Sequence, residues 1–263
     1  MGCGRNADSD FVFERVAIVN AVIVVVAKNI RRQRKMKKIT AIFLILVMCV
    51  TMAACGGSNK KAFEESKIAY DNIDIAYKIS EQFSQDIYEA WRLGIYDKDE
   101  ILKDGVAHLA TRLSLSEDEL KEGLVYTIAD LTGENWSEIS DETKASFTDD
   151  TAATIYVLES IMNQGDFYGL CVKVVTSSYI ANGKVEEAQN ALKTAKTQMK
   201  KLSENYSDYE YYPNLKGYFT TTSALFDFCQ NPTGSFQQLN DTLNNYMKEA
   251  RDYINDLNYI FEE

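Results

Sequence analysis

AFEESKIAYDNIDIAYKISEQFSQDIYEAWRLG, residues 62–94, is the stretch whose reading decides the fold. Ala62, Ser66, Ala69, Ile73, Ala76, Ser80, Phe83, Ile87, Ala90 and Gly94 recur along it at spacings that alternate between four and three. That is the heptad stripe of a helix packed along its whole length. Seven of these ten residues are Ala, Ser or Gly, so a neighbouring helix can approach closely. Tyr70, Tyr77 and Trp91 flank it at multiples of seven. At 1.5 Å per residue the predicted helix spans ~48 Å.

The same pattern returns at the other end of the chain. Phe236, Leu239, Leu243, Tyr246, Ala250, Tyr253, Leu257 and Ile260 alternate three and four, with Met247, Ile254 and Phe261 widening the stripe. A third helix is expected from Lys184 to Tyr206 on Val185, Ala188, Leu192, Ala195, Met199 and Leu202. Start and stop signals place shorter helices between these. Asp97 with Glu100 and Ser116 with Glu119 have N-cap spacing. The helix after Ser116 should end near Gly133, one from Ser140 should reach about Asn163, and one from Asp166 should stop at Gly183. A further helix is expected from Asn214 to Gln230, before Pro232. No run alternates apolar and polar residues between turns, and Val172–Val175 is β-branched but short. The expected fold is all-α, a bundle of about seven or eight helices whose long first and last members pack side by side. The two prolines in 263 residues fit long uninterrupted helices.

Charge divides the chain. Residues 1–54 hold nine Lys/Arg and three Asp/Glu, which leaves 19 basic against 36 acidic residues from Cys55 onward, a net charge of −17. Such a surface repels nucleic acid and anionic headgroups and keeps the domain soluble.

The basic part ends in Met36-Lys37-Lys38, the apolar run Ile39–Met52, and Ala53-Ala54-Cys55-Gly56-Gly57-Ser58. A positive start, 14 apolar residues and a small-residue site form the order of a secretory signal peptide. The apolar run is shorter than the ~20 residues a spanning helix requires. Met52-Ala53-Ala54-Cys55 resembles the lipobox of bacterial lipoproteins with a type II signal peptide, with Met52 in place of the usual Leu. The resemblance implies cleavage before Cys55, diacylglycerol on its thiol, and a protein lipid-anchored to the cell membrane outside the cytoplasm. An ordinary signal peptide cut after Ala54 and an uncleaved anchor are the alternatives. The resemblance covers about twenty residues and does not extend to the helical domain.

Residues 1–35 carry a second apolar run, Val16–Ala27, followed by Lys28, Arg31, Arg32, Arg34 and Lys35. The signal peptide reads complete from Met36, so 1–35 is read as an upstream extension from a mis-assigned start, 36–54 as the signal peptide, 55–61 as the lipidated cysteine and a flexible tether, and 62–263 as the acidic helical domain.

The sequence offers little catalytic chemistry. His108 is the single histidine, which removes multi-histidine metal sites, and no nucleophile elbow, phosphate loop or dinucleotide fingerprint occurs. No metal or cofactor is expected. Asp130-Leu131-Thr132-Gly133-Glu134 has its glycine at the wrong place for a calcium loop. Cys171 and Cys229 lie in apolar helical contexts where either free thiols or a disulfide would fit. The least ordinary surface is the tyrosine-rich segment with Tyr206, Tyr209, Tyr211, Tyr212 and Tyr218, a candidate binding surface. The competing reading is a connector whose rings cover helix ends. The expected function is a non-enzymatic binding or interaction domain for an unknown protein or small ligand. A sensor-like or spacer module is the alternative, with a carboxylate-based hydrolase behind both.

Overall fold

A computed structural model describes residues 58–135, 138–161 and 166–261. The chain divides between Gly56 and Gly57, and every described residue lies on the Glu263 side of that division. The signal peptide and Cys55 fall outside the described residues. Among the described residues the structure is all-α, with ten helices and no strand, and no helix is long and apolar enough to cross a membrane.

The central element is α1, Ser58–Tyr96. Every member of the heptad stripe from Ala62 to Gly94 is buried. Four helices surround it: α7 (Phe167–Ala181), α8 (Lys184–Asn205), α9 (Tyr212–Gln230) and α10 (Phe236–Phe261). The small residues of the stripe do what the pattern predicts. At Gly94 an added Cβ would stand 2.5 Å from the Tyr168 Cα of α7. Trp91 stacks flat on the Tyr168 ring, centroids 5.0 Å apart. The buried serines are satisfied within their own turn: Ser80 Oγ donates to the Ala76 carbonyl at 2.7 Å.

The first and last long helices pack side by side and antiparallel. At one end Tyr70 and Phe63 meet Phe261, and Lys67 Nζ donates to the Phe261 carbonyl at 2.8 Å. At the other, Tyr88 stacks on Phe236 at 5.1 Å. In α10 the predicted stripe is buried along one line that ends at Phe261. Leu239, Leu243, Ala250 and Leu257 are inside, while Phe236, Tyr246, Tyr253 and Ile260 are half-buried along its rim.

A second layer lies outside α7. Here α4 (Glu117–Thr132) packs so closely that an added Cβ at Gly123 would meet the Val174 carbonyl at 2.6 Å. Ser116 and Glu119 form the expected reciprocal capping box, and Gly133 ends α4 in the left-handed region, φ 73°. Short helices α2 (Lys98–Asp104), α3 (Val106–Ala110), α5 (Asp141–Thr148) and α6 (Thr151–Ile161) complete the order.

Three expectations change. Residues 58–61, read as tether, form the first turn of α1, because Ser58-Asn59-Lys60-Lys61 holds no breaker and its lysines are good helix formers. The helix expected from Ser140 to about Asn163 is two. Asp150 interrupts it and caps the next turn, its Oδ1 accepting from Ala153 N at 3.0 Å. Asp97 precedes α2 but makes no side-chain cap; its carboxylate instead faces His108 Nε2 at 3.3 Å.

A candidate binding cleft between the first and last long helices

On α1, Gln82, Gln85, Asp86 and Glu89 stand at i, i+3, i+4 and i+7, so they share one face beside the buried stripe. On α10, Asn240, Leu243, Asn244 and Met247 have the same spacing. Because α1 and α10 lie antiparallel, these two faces meet as the walls of a cleft of about 640 Å³. The segment Arg112-Leu113-Ser114, between α3 and α4, closes its third side. The volume falls within the ~300–1,000 Å³ common for small-molecule sites.

Asp86 organises the cleft. It is buried in mid-helix, yet its carboxylate has no cationic partner among the described residues. Three neutral donors hold it: Ser114 N at 2.9 Å, Ser114 Oγ in a short contact, and the Tyr179 hydroxyl at 2.7 Å. These bonds tie the 112–114 segment and α7 to α1. Tyr179 is itself fixed by stacking on Phe83, 4.1 Å between centroids, with Lys184 Nζ 4.9 Å over its ring. Burial first, and then the Asp86 carboxylate, push the Tyr179 hydroxyl up, so it stays protonated and donates.

The remaining polar groups are less committed. Glu89 pairs with Arg92 at 2.8 Å, turning that charge along the helix surface. Asn244 Nδ2 donates to Asn240 Oδ1 at 3.0 Å. Of the three arginines among the described residues, Arg92 and Arg251 pair with Glu89 and Glu81, and Arg112 has no ion pair. Met247 and Leu243 give the cleft an apolar floor; Ser84 Oγ donates to the Glu81 carbonyl at 2.7 Å and lies 3.4 Å from Met247 Sδ.

The tyrosine-rich segment is not one surface. Tyr218 is fully buried between Tyr70 and Tyr77, with ring centroids 6.1 and 5.9 Å away, and so is removed from the candidate surface. It belongs to the α9 stripe Leu215, Tyr218, Thr222, Leu225 and Cys229, all buried. Tyr206, Tyr209, Tyr211 and Tyr212 are half-buried, with Tyr206, Tyr211 and Tyr212 packed against the core. The Tyr209 hydroxyl accepts from Ser66 Oγ at 3.1 Å, and its ring meets Tyr211 edge-on. That is the geometry of rings covering helix ends.

Other candidates resolve in the same way. Cys171 and Cys229 are free buried thiols; burial pushes Cys171 up to about 12 and raises Cys229 as well. Asp130 pairs with Lys173 at 2.6 Å, and no group of three His, Cys, Asp or Glu able to hold a metal occurs among the described residues. A second cleft of about 580 Å³ lies beside the Trp91–Tyr168 stack, with that Asp130–Lys173 pair on its wall.

Sequence reasoning missed the Asp86 cleft. The sequence held only a partial signal: Gln82, Gln85, Asp86 and Glu89 on α1 and Asn240 and Asn244 on α10 are polar residues at helical spacing on the two helices expected to lie side by side. No family model matches the chain, and no curated protein or solved structure is similar to it.

Proposed function

We propose that the chain is a bacterial lipoprotein, anchored through Cys55 outside the cytoplasm, whose helical domain binds a small ligand in the α1–α10 cleft. The cleft carries the binding half of this reading. It joins polar faces from both long helices, an apolar floor, a buried carboxylate and an unpaired guanidinium in one concavity. The lipobox-like Met52-Ala53-Ala54-Cys55, just before the start of α1, supports the anchoring half.

Binding is favoured over catalysis by the state of the two carboxylates. Asp86 is fixed by three donors and Glu89 is paired with Arg92, so the cleft presents no pair of uncommitted carboxylates to act as acid and base. The spacer reading draws on one observation, the 39-residue length of α1. That length corresponds to ~58 Å of rigid helix.

Two measurements test the proposal separately. Cys55→Ser should shift the mature protein's mass by loss of the lipid and move it out of detergent; unchanged mass and partitioning would remove the anchor. Native mass spectrometry of the chain purified from its host should show a retained small molecule that is lost in a cleft variant such as Asn244→Arg, at an exposed position of the wall. A bare mass in both would favour the spacer.

A further inference from the structure

We infer that the cleft selects a zwitterion: an amino acid or short peptide with free termini, its carboxylate on Arg112 and its ammonium on Asp86. This assignment rests on the reading of the cleft as a ligand site. It starts from an arrangement of charge. Asp86 and Arg112 line the same cleft with opposite charges, yet they form no ion pair with each other. Arg112 is only two residues from Ser114, whose backbone and side chain both donate to Asp86, so a short segment tied to Asp86 carries the opposite charge into the same cleft. Opposite charges that share a cavity without closing on each other leave a gap that a dipolar solute completes.

The carboxylate of Asp86 still has capacity. Its Oδ1 accepts from Ser114 N alone, whereas Oδ2 takes Ser114 Oγ and Tyr179. A carboxylate offers about four acceptor positions, so one remains on Oδ1 for an ammonium. Neutral donors hold Asp86 in place and leave its charge uncancelled. A guanidinium has five donors in a planar fork that fits a carboxylate in two-point contact.

The net charge of the molecule separates a zwitterion from a simple anion. From Cys55 onward the chain carries 36 acidic residues against 19 basic ones, a field that opposes entry of a purely anionic solute. A zwitterion carries no net charge against that field and gains from both local charges. The carboxamides complete the match. Gln82 and Gln85 on one wall face Asn240 and Asn244 on the other. Each side chain both donates and accepts, as a peptide group does. The Leu243–Met247 floor suits an apolar side chain.

Isothermal titration calorimetry on the full chain in detergent tests this with defined probes: L-leucine, L-alanyl-L-leucine, the N-acetylated dipeptide, the dipeptide amide, and maltose as a neutral polar control. At least one free-termini probe should bind, and blocking either terminus should weaken it tenfold or more. The choice between leucine and the dipeptide sets the ligand's length. Arg112→Gln should weaken the free-termini probe by a similar factor but leave the dipeptide amide unchanged, since that probe already lacks the carboxylate. Arg112 is exposed, so the variant should keep its melting temperature. No binding by either free-termini probe overturns the assignment, as does binding indifferent to the terminal blocks or to Arg112. If maltose binds, or native mass spectrometry finds a different retained molecule, the zwitterion falls and the cleft stands as a binding site. If every probe is silent and no molecule is retained, the binding reading falls as well.

Discussion

Gly123→Ala sets two effects of opposite sign against each other. Gly123 lies inside α4, at ordinary helical backbone angles, so local propensity alone would make alanine stabilising by about 1 kcal/mol. Packing opposes it. The new Cβ would stand 2.6 Å from the Val174 carbonyl and 2.7 Å from the Ser178 amide of α7, besides the Ser178 side chain at 1.9 Å. The serine hydroxyl can rotate; the two backbone atoms cannot. Restoring ordinary contact near 3.4 Å requires α4 and α7 to part by roughly 0.8 Å, a gap that forfeits a quarter to a half of each dispersion contact across it. Overpacking of this kind costs ~1–3 kcal/mol, and with rigid backbone on the far side the upper end applies. The expected net loss is therefore about 2 kcal/mol, or a fall of ~4–8 °C in melting temperature for a domain of this size. Guanidinium titration followed by circular dichroism measures it. Because Tyr179 follows Ser178 directly and donates to Asp86, ligand affinity in the cleft should drop as well. A variant as stable as the parent, or more so, would refute the close approach of α4 to α7.

Asp86→Asn should lower stability by about 3 kcal/mol, because an amide presents one acceptor oxygen to three donors and turns its own N–H groups toward the others; a melting temperature within 2 °C of the parent, roughly one kcal/mol, would show that these bonds do not hold the 112–114 segment. Ser116→Ala should cost about 1 kcal/mol by removing half of the capping box. Burial raises the Glu119 carboxyl, but the Ser116 amide and hydroxyl and the Lys184 ammonium outweigh it and hold the group below its usual 4.5. A depressed carboxylate contributes stability that is present above 4.5 and lost as pH falls through the folded value. Glu119→Gln should accordingly flatten the stability–pH curve below 4.5, and an unchanged acid limb would refute that linkage. Cys171 and Cys229 should resist iodoacetamide at pH 8 while the chain is folded and react in guanidinium without reductant; peptide masses still unlabelled after unfolding would mean that the two are bridged.

The helices were legible because their signals are local. The heptad stripe of residues 62–94 repeats a three-and-four spacing and the Ser116–Glu119 box spans one turn, and the structure places both as the spacing requires. Side-by-side packing of the end helices also follows from two long helices that both carry heptad stripes. The breaks were harder to read. Asp149-Asp150 holds neither glycine nor proline to mark a break, and the bond from Ala153 N to Asp150 makes the second a cap. Tyr218 was misplaced because tyrosines were counted by composition. By period it belongs with Leu215, Thr222, Leu225 and Cys229, a four-and-three stripe as regular as that of α1.

The cleft was illegible for a different reason. Asp86 takes its partners from positions 114 and 179, and no spacing within one helix announces a contact over 28 or 93 residues. One clue remained in the sequence. Several acids of this chain cap or open helices, where the helix dipole favours them, and many others lie on exposed helix faces, whereas Asp86 lies buried in mid-helix between Phe83 and Ile87 of the stripe. An aspartate there has to be accommodated by neighbours, and the manner of accommodation bears on function. An arginine or lysine would have neutralised it and closed the cleft with an ion pair. Tyr179 and Ser114 are neutral, so they hold the carboxylate in place while its charge persists at the wall of a cavity. The same three bonds that fasten α7 and the 112–114 segment to α1 therefore keep a negative charge available to a ligand. On the proposed reading, stability and recognition rest on a single side chain, and a variant that stabilises the fold by pairing Asp86 with a new cation should do so at the expense of binding.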